Sequence, residues 1–262
     1  MARSRLVTCT FCGDSDVRQG IEDVLPLWLA NKLAHNAREH HPDAEATYVN
    51  YSYTSFGAMQ NDDATGSAAA VRQKTGAIPA AYKLPKVCTD CNNGWMSRME
   101  GAVKLLIPGI LEGRPKRLTP YDQLVLATWA TKTSLTYDAS RIPRHISAEA
   151  GTRRMFRLGF PLPGTQVVLC DDSNATTPQG CFAHARQPFS PEGQPEPMLV
   201  KVGFQFERLI LQTTIALSGN VEVAPTRSTH CRQIWPLSGD AFTWPPDATP
   251  NEGPDNPEEV GK

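Results

Sequence analysis

Two Cys-x-x-Cys pairs constrain the fold of this chain more strongly than any other feature. Cys9 and Cys12 form the first pair, Cys88 and Cys91 form the second, and 75 residues lie between them. Each pair places two thiolates close enough to hold one metal ion from a tight turn, and four sulfurs are a ligand set that zinc prefers in closed structural sites. We therefore predict one structural zinc ion that joins the two segments. With four sulfur ligands it has no open coordination position, and we expect no catalytic role for it.

The other three cysteines, Cys170, Cys181 and Cys231, lie apart in apolar or strand-like segments, and we interpret them as buried small side chains. Paired Cys-x-x-Cys motifs are typical of metal binding in a reducing compartment, where disulfides are rare. The first residues precede no apolar core of signal-peptide length, and no run of about 18 apolar residues occurs. The sequence therefore predicts a cytoplasmic protein with no membrane segment.

Charge is spread unevenly along the chain, whose net charge is -1. The segment 247–262 carries five acids and one base and is rich in proline, so we predict that it is disordered. Without it the chain has 25 bases and 22 acids. A mildly basic body is compatible with nucleic-acid binding but does not argue for it.

The distribution of motifs divides the chain into three zones, and we predict an α+β fold. Residues 1–117 contain the cysteine pairs and the densest polar strings, with a polar stretch at about 42–75 that is typical of a mobile insertion. Residues 118–246 contain one helix followed by strands of a mostly antiparallel sheet. Residues 247–262 form the acidic tail.

Local patterns predict three helices and several strands. One helix begins at Pro26, and a second begins after Cys91 and carries an apolar stripe, and Pro108 either kinks it or ends it near Gly109. The third begins at Thr119, a residue type that caps helices, and runs to about Tyr137. Segments rich in Val, Ile, Phe and Thr predict strands at 166–170, 181–185, 198–217 and 229–235.

Two polar strings lie beside the cysteine pairs. The first, Gly-Ile-Glu-Asp-Val-Leu-Pro-Leu-Trp-Leu, contains Glu22 and Asp23; the second, Cys-Thr-Asp-Cys-Asn-Asn-Gly-Trp-Met-Ser, contains Asn92 and Asn93, with Glu100 one turn later. If one zinc ion holds both cysteine pairs, these strings also lie near each other. Carboxylate and carboxamide oxygens suit a hard cation such as Mg²⁺. The sequence therefore predicts a second site, for Mg²⁺ or Mn²⁺, that can act on a phosphodiester.

The two strings resemble the HNH family of ββα-metal nucleases, in a bacterial and phage branch. That branch reads roughly Cys-x-x-Cys, then Glu-His-hydrophobic-x-Pro-x-Trp-Leu, then Cys-x-x-Cys-Asn-Asn-Gly-Trp-Met-Ser, and the likeness covers residues 9–33 and 86–137. It implies a zinc-stabilised ββα-metal N-terminal part and DNA as the substrate. In the family, the acid of the first motif binds a catalytic cation and the Asn after the last cysteine orients the site. These positions correspond to Glu22 and Asn92, with Asn93 as a further ligand.

One position departs from the family pattern, since Asp23 stands where the resemblance implies the general-base histidine. A histidine has an ordinary pKa near 6.5 and an aspartate near 3.9, so Asp23 is a weaker base by about 3.5 kcal/mol. Asp23 then either binds the cation as a second carboxylate or marks an inactive or repurposed site. His35, His40 and His41 either supply a substitute base or form a solvated helix end.

Three functions stay open at this point. The first is a divalent-metal-dependent nuclease of the HNH type with an altered base. The second is an inactive, zinc-stabilised relative that binds nucleic acid or a protein, and the third is an enzyme of this fold that acts on a small molecule. The acids at 22–23 are also compatible with exposed residues before a helix, and the two asparagines with helix caps. Arg153, Arg154 and Arg157, and the basic residues at 114–117, are candidate phosphate contacts or solvated surface.

Overall fold

The structure is a computed structural model of the 262-residue chain. It describes residues 5–40, 51–56, 72–76, 83–141, 154, 156–172, 180–188, 198–216 and 230–246. The acidic tail at 247–262 and most of the stretch at 42–75 lie outside this description, as do His41 and Arg153. Across the described residues, no helix is long and apolar enough to cross a membrane.

Strands and short helices alternate in the first part of the chain, and strands dominate the second. The strands are β1 (Leu6–Val7), β2 (Val17–Asp23), β3 (Tyr51–Phe56), β4 (Arg72–Gly76), β5 (Lys83–Cys88), β6 (Lys116–Leu118), β7 (Thr165–Asp171), β8 (Gly180–Pro188), β9 (Met198–Phe206), β10 (Leu209–Ala216), β11 (Cys231–Trp235) and β12 (Phe242–Trp244). The helices are α1 (Leu27–His40), α2 (Thr89–Cys91), α3 (Ser97–Val103), α4 (Ile107–Leu111) and α5 (Pro120–Arg141), with a π-helical segment, Asn92–Met96, between α2 and α3. This mixture, with mostly antiparallel sheets, confirms the predicted α+β class.

A small antiparallel sheet adjoins both cysteine pairs, with its strands in the order β1-β2-β5. Gly20 on β2 lies opposite Val87 on β5. A Cβ atom at Gly20 would meet the Val87 carbonyl oxygen at 3.3 Å, so a glycine permits this close approach. A bulge then shifts the register, and Glu22 lies opposite Leu84. The polar string that contains Glu22 is thus held on a strand beside the second cysteine pair.

The helices begin largely where the sequence predicts, but the second one is interrupted. α1 follows Pro26 and α5 begins at Pro120, in agreement with the predictions. The segment after Cys91 is instead divided into the π-helical segment, α3 and α4. The break falls at residues 104–106, just before the kink or end that was predicted at Pro108, and the chain resumes as α4. Pro108 lies in the first turn of α4, where the missing N–H of proline sacrifices no hydrogen bond.

Seven strands form the large sheet, in the order β11-β7-β10-β9-β8-β3-β4. All neighbouring pairs are antiparallel except β3 and β8. The segment 198–217, predicted as strand, is a hairpin of β9 and β10 that turns at Glu207, whose φ is 51°. Within the stretch 42–76, the described strands β3 and β4 join one edge of this sheet.

Helix α5 lies between the first part of the chain and the large sheet, and its residues 126–139 are all buried. It contacts α3 and β5 as well as β7, β9, β10 and β11. A single cluster of buried apolar side chains runs from the cysteine pairs to the large sheet. This core crosses residue 117, the predicted boundary between two domains, so the two zones share one hydrophobic interior.

Cys170 and Cys231 form a disulfide between β7 and β11, with their Cα atoms 4.1 Å apart. The interpretation of these two cysteines as separate buried thiols is therefore wrong. Antiparallel pairing of β7 with β11 places Cys231 directly opposite Cys170, although 61 residues separate them in sequence. Spacing along the chain does not reveal the register of two distant strands. The side chain of Cys181 lies outside the described residues.

Candidate functional site

The four paired cysteines meet in one cluster. The Sγ atoms of Cys9, Cys12, Cys88 and Cys91 all lie within 4.8 Å of one another, and three of the four side chains are buried. Sγ of Cys12 and Sγ of Cys88 are 3.8 Å apart. That separation suits a tetrahedral metal site, because Zn–S bonds of about 2.3 Å place the sulfurs about 3.8 Å from each other. The structure thus brings together the two segments that the sequence predicted to share a metal ion.

Backbone groups shape each half of the cluster. The N–H of Cys88 donates to Sγ of Cys9, and the N–H of Cys91 donates to Sγ of Cys88, both at 3.3 Å. Gly13 follows the first pair with a φ of 78°, which glycine adopts without steric cost, and its N–H donates to the Cys9 carbonyl. N–H groups directed at sulfur stabilise thiolates and hold them in place for a metal ion.

The thiols differ in how readily they ionise. A hydrogen bond from Cys91 lowers the pKa of Cys9 to about 4, whereas burial raises the pKa of Cys12 to about 12. The hydrogen bond to Cys9, together with burial, raises the pKa of Cys91. The protein surroundings alone thus favour one thiolate, on Cys9. Four thiolates this close together require the positive charge of a cation. Cysteines in structural metal sites are deprotonated in this way when the metal is bound.

A second polar group contains Glu22 and is buried in the core. Nζ of Lys132 on α5 donates to Oε1 of Glu22 on β2 and, at 2.7 Å, to Oε1 of Glu100 on α3. The Lys132 side chain is fully buried and that of Glu22 is nearly so, while Glu100 is 24% exposed. One ammonium group therefore links three elements of the fold from inside.

Burial and charge oppose each other in this group. Burial raises the pKa of Glu22, although the charge of Lys132 acts in the other direction. Burial alone would lower the pKa of Lys132, but the charges of Glu22 and Glu100 raise it overall. Lys132 therefore stays protonated and supplies the counter-ion that two neighbouring carboxylates need.

Sequence reasoning did not single out Lys132, which is 110 positions away from Glu22. Its local sequence, Ala-Thr-Lys-Thr-Ser, is compatible with the solvated face of a helix. A signal was nevertheless present. The preceding run, Leu-Val-Leu-Ala-Thr-Trp-Ala, has apolar residues on every side of a helix, and such a helix is buried. A lysine inside a buried helix requires a carboxylate partner.

Glu22 and Asn92, which the family resemblance assigns to the active site, lie on neighbouring elements. Nδ2 of Asn92 donates to the carbonyl of Ile21, the residue before Glu22, at 3.0 Å. β2 therefore orients Asn92 at the start of the segment Asn92–Met96, in which the chain kinks at Gly94. The carboxylate of Glu22 is bound by Lys132.

Asp23 and Asn93 complete the set that the sequence assigned to a divalent cation. Oδ1 of Asp23 is buried without a hydrogen bond, and Nζ of Lys83 lies 3.7 Å away. Asn93 is exposed. Within the described residues, the four cysteines are the one group of three or more Cys, His, Asp or Glu side chains close enough to hold an ion. Each of the two neighbouring carboxylates thus lies beside a lysine ammonium, Glu22 beside Lys132 and Asp23 beside Lys83.

Three aromatic rings connect the first cysteine pair to the segment before β7. Phe11, inside that pair, meets Trp95 edge to face with ring centroids 5.8 Å apart. Trp95 in turn meets Phe156 at 5.1 Å. This packing fixes the helical turn that carries Arg154 and Arg157 beside the cysteine cluster.

An open cleft of about 500 Å³ lies next to these rings, and we name it the arginine cleft. Arg98 from α3 lines it together with Arg154 and Arg157, and Cys12 lies in its wall. All three arginines are exposed, and none pairs with another residue in the described part of the chain. Asp90 is the one acid in the lining, so the cleft is positively charged. Guanidinium groups in this arrangement suit phosphate oxygens.

The other basic cluster predicted from the sequence, at 114–117, has different surroundings. Arg114 pairs with Glu112 at 2.7 Å, which leaves its charge partly neutralised. Lys116 and Arg117 belong to β6, which pairs with β12. Of the two candidate phosphate-binding clusters, the one with Arg154 and Arg157 is therefore the better supported.

A comparison with family models, with curated proteins and with solved structures found no match to this chain. The functional assignment therefore depends on the residues themselves. Three groups carry it: the cysteine cluster, the buried group around Lys132 and the arginine cleft.

Proposed function

We propose that this protein binds nucleic acid through the arginine cleft, and that the cleft belongs to a zinc-organised unit of the HNH type. The observation that carries the proposal is the convergence of three arginines from two separate elements, each without a partner among the described residues, on one cleft. Guanidinium groups bind phosphate oxygens through paired hydrogen bonds, and nucleic acid carries a phosphate at every nucleotide. An active nuclease of the HNH type and an inactive relative would both bind nucleic acid through such a cleft.

The order of elements around the cysteines supports the HNH part of the proposal. β2 and β5 are antiparallel neighbours, and helical structure from Thr89 to Val103 follows β5 directly. Glu22 lies near the end of β2, and Asn92 lies at the start of the helical segment. A strand–strand–helix unit with these two residues at these positions is what the ββα-metal hypothesis expects.

Zinc is the metal that we propose for the cysteine cluster. An all-sulfur set of four is the donor chemistry of structural zinc sites, and the N–H groups of Cys88 and Cys91 are directed at sulfur as thiolates require. The ion would join the segment before β2 to the end of β5. It supplies stability to the first part of the chain, since four sulfurs leave no position for a substrate.

Reversing a charge in the cleft is expected to weaken nucleic-acid binding. For Arg157→Glu we expect the Kd of a labelled DNA to rise about tenfold, because a phosphate contact is lost and a repulsive charge is introduced. The slope of log K against log salt concentration should become shallower by about one. Fluorescence anisotropy over a series of salt concentrations measures both quantities.

Arg232→Glu is the matched control for this experiment. Arg232 is exposed on β11 and does not line the cleft. The control makes the same change in net charge, so it separates a local contact from the general attraction between a basic protein and DNA. If both variants weaken binding equally, the cleft is not the interface. If the wild-type protein binds no nucleic acid, the proposal itself is wrong.

Divalent-metal-dependent cleavage of DNA is the second candidate function. The observation that favours it is that Oδ1 of Asp23, the residue directly after Glu22, makes no hydrogen bond and has only the ammonium of Lys83 nearby, at 3.7 Å. The ammonium of Lys132 on Glu22 argues for the inactive alternative, because that carboxylate already has a positive partner. His35, whose side chain was a candidate substitute base, pairs with Glu39 at 3.1 Å. Restoring a histidine at position 23 therefore tests this candidate directly.

Asp23→His is expected to raise Mg²⁺- or Mn²⁺-dependent plasmid cleavage above the wild-type rate by about 100-fold, the typical effect of a general base. Histidine accepts a proton from water near neutral pH, whereas aspartate does so poorly. Glu22→Gln in that background should remove the gain and still accept the hydrogen bond from Lys132. Chelator-treated samples set the baseline. If Asp23→His is folded and metal-loaded but cuts no form of DNA, cleavage is rejected and nucleic-acid binding remains.

A further inference from the structure

A second cleft, of about 390 Å³, adjoins the arginine cleft. The two share four lining residues: Trp95, Arg98, Arg157 and Leu158. The rest of the second cleft comes largely from α3 and the first half of α5, and its side chains are mostly apolar: Met99, Ala102, Tyr121, Leu124 and Val125. We name it the apolar trough. Its size lies within the range of small-ligand sites, about 300–1,000 Å³.

Two large apolar side chains of the trough are exposed to water. Tyr121 in the first turn of α5 is 69% exposed, and Leu158 is 65% exposed. Exposed apolar side chains that share one concave surface, rimmed by charged residues, are typical of an interaction site. The ring of Tyr121 is therefore available to a planar ligand.

Contacts beneath the trough hold its wall in shape. Oγ1 of Thr128 on α5 lies 2.7 Å from the carbonyl oxygen of Gly159, so the turn that carries Leu158 is fixed to the helix. Gly159 has a φ of 95°, which allows the chain to turn at this point. Phe156, on the same segment as Gly159, packs against Trp95. The wall is thus formed before a ligand binds, which lowers the entropy lost on binding.

The two clefts together match the two halves of a nucleotide. The arginine cleft suits a phosphate group, and the apolar trough suits a base that stacks on an aromatic ring. Bases inside a duplex are stacked between their neighbours and do not reach such a trough. Bases of a single strand are free to enter it, and base–aromatic stacking tolerates any sequence because every base has a π face.

We propose that the apolar trough holds an unpaired base, so that the protein binds single-stranded nucleic acid in preference to duplex. This inference rests on the proposed nucleic-acid binding and adds the form of nucleic acid that is bound. The arginine cleft contacts the backbone, and the trough contacts the base of a neighbouring nucleotide. Their shared wall, which contains Arg98 and Arg157, sets the two contacts next to each other.

Three labelled ligands of equal length test this inference by fluorescence anisotropy: a single-stranded DNA, the same backbone with abasic positions throughout, and a duplex. We expect the single strand to bind about tenfold more tightly than the abasic backbone, because only the single strand provides a base for stacking. The single strand should also bind more tightly than the duplex. If the single strand and the abasic backbone bind with equal affinity, or if the duplex binds more tightly than the single strand, the trough does not hold an unpaired base. Phosphate binding by the arginine cleft would still stand. Failure of all three ligands to bind would overturn both proposals.

Tyr121→Ala is expected to reduce the affinity for the single strand about tenfold and to leave the affinity for the abasic backbone unchanged. Arg98→Ala should weaken the binding of both ligands. Leu105→Ala is the matched control, since Leu105 is 79% exposed and lines neither cleft. The thermal unfolding of Tyr121→Ala should match that of the wild type, because the side chain lies on the surface. If Tyr121→Ala binds both ligands as the wild type does, the trough does not hold a base.

Discussion

Cys88→Ser is expected to release the metal and to destabilise the chain more than any other single substitution. Metal content should fall from about one zinc per chain to about zero, because three sulfurs bind zinc much more weakly than four. The cluster joins two segments that are distant in sequence, so its loss should free both. We expect the melting temperature to fall by at least about 10 °C, which corresponds to several kcal/mol for a chain of this size. Elemental analysis and circular dichroism measure the two effects.

Cys231→Ser provides the matched control for metal content. It makes the same chemical change at a cysteine whose sulfur is bonded to Cys170 instead of lying in the cluster. The variant should keep the full metal content even where removal of the disulfide lowers its stability. A wild-type protein that is fully folded without bound metal would rule out the structural zinc.

Lys132→Met is expected to lower the free energy of unfolding by about 3–5 kcal/mol, because it leaves buried carboxylates without a counter-ion. Methionine has nearly the length of lysine, so the loss reports the charge more than the volume. Urea denaturation provides the measurement. Lys104→Met is the matched control, since Lys104 is exposed at the end of α3 and its replacement should change stability by less than about 0.5 kcal/mol.

A second substitution separates the charge of Lys132 from its packing. Glu22→Gln removes the carboxylate that the ammonium neutralises, so the double variant should be more stable than the sum of the two single effects predicts, by at least about 1 kcal/mol. If the two effects simply add, the ion pair does not stabilise the fold in the way that the contacts indicate.

The pH dependence of Lys132→Met follows from the pKa of Glu22, which burial raises in the folded protein. A carboxyl group with a raised folded-state pKa stabilises the fold below its unfolded pKa and loses that contribution as the pH rises. The deficit of Lys132→Met should therefore be largest near neutral pH and should shrink as the pH falls toward about 4. A deficit that grows on acidification would contradict the assignment of the charge to Glu22.

The candidate site was predictable to the extent that its chemistry is local in sequence. The cysteine cluster follows from two short motifs, because each Cys-x-x-Cys pair brings its own two sulfurs together wherever the chain goes. The sequence also indicated the basic cluster with Arg154 and Arg157, as one of two candidate phosphate-binding clusters that it did not distinguish. Its convergence with Arg98, from a helix more than 50 residues earlier, depended on aromatic packing that no local pattern encodes.

The sequence by itself determined the α+β class, the starts of α1 and α5 beside proline residues, strands β7 to β11, and the cysteine cluster, since all of these depend on periodicity, turn chemistry and short spacing. Only the tertiary structure decided that Lys132 neutralises Glu22 and that Cys231 lies opposite Cys170. Both contacts join residues that are far apart in sequence. They depend on which faces of α5 are covered and on the register of β7 and β11, and these are settled when apolar faces pack into one core.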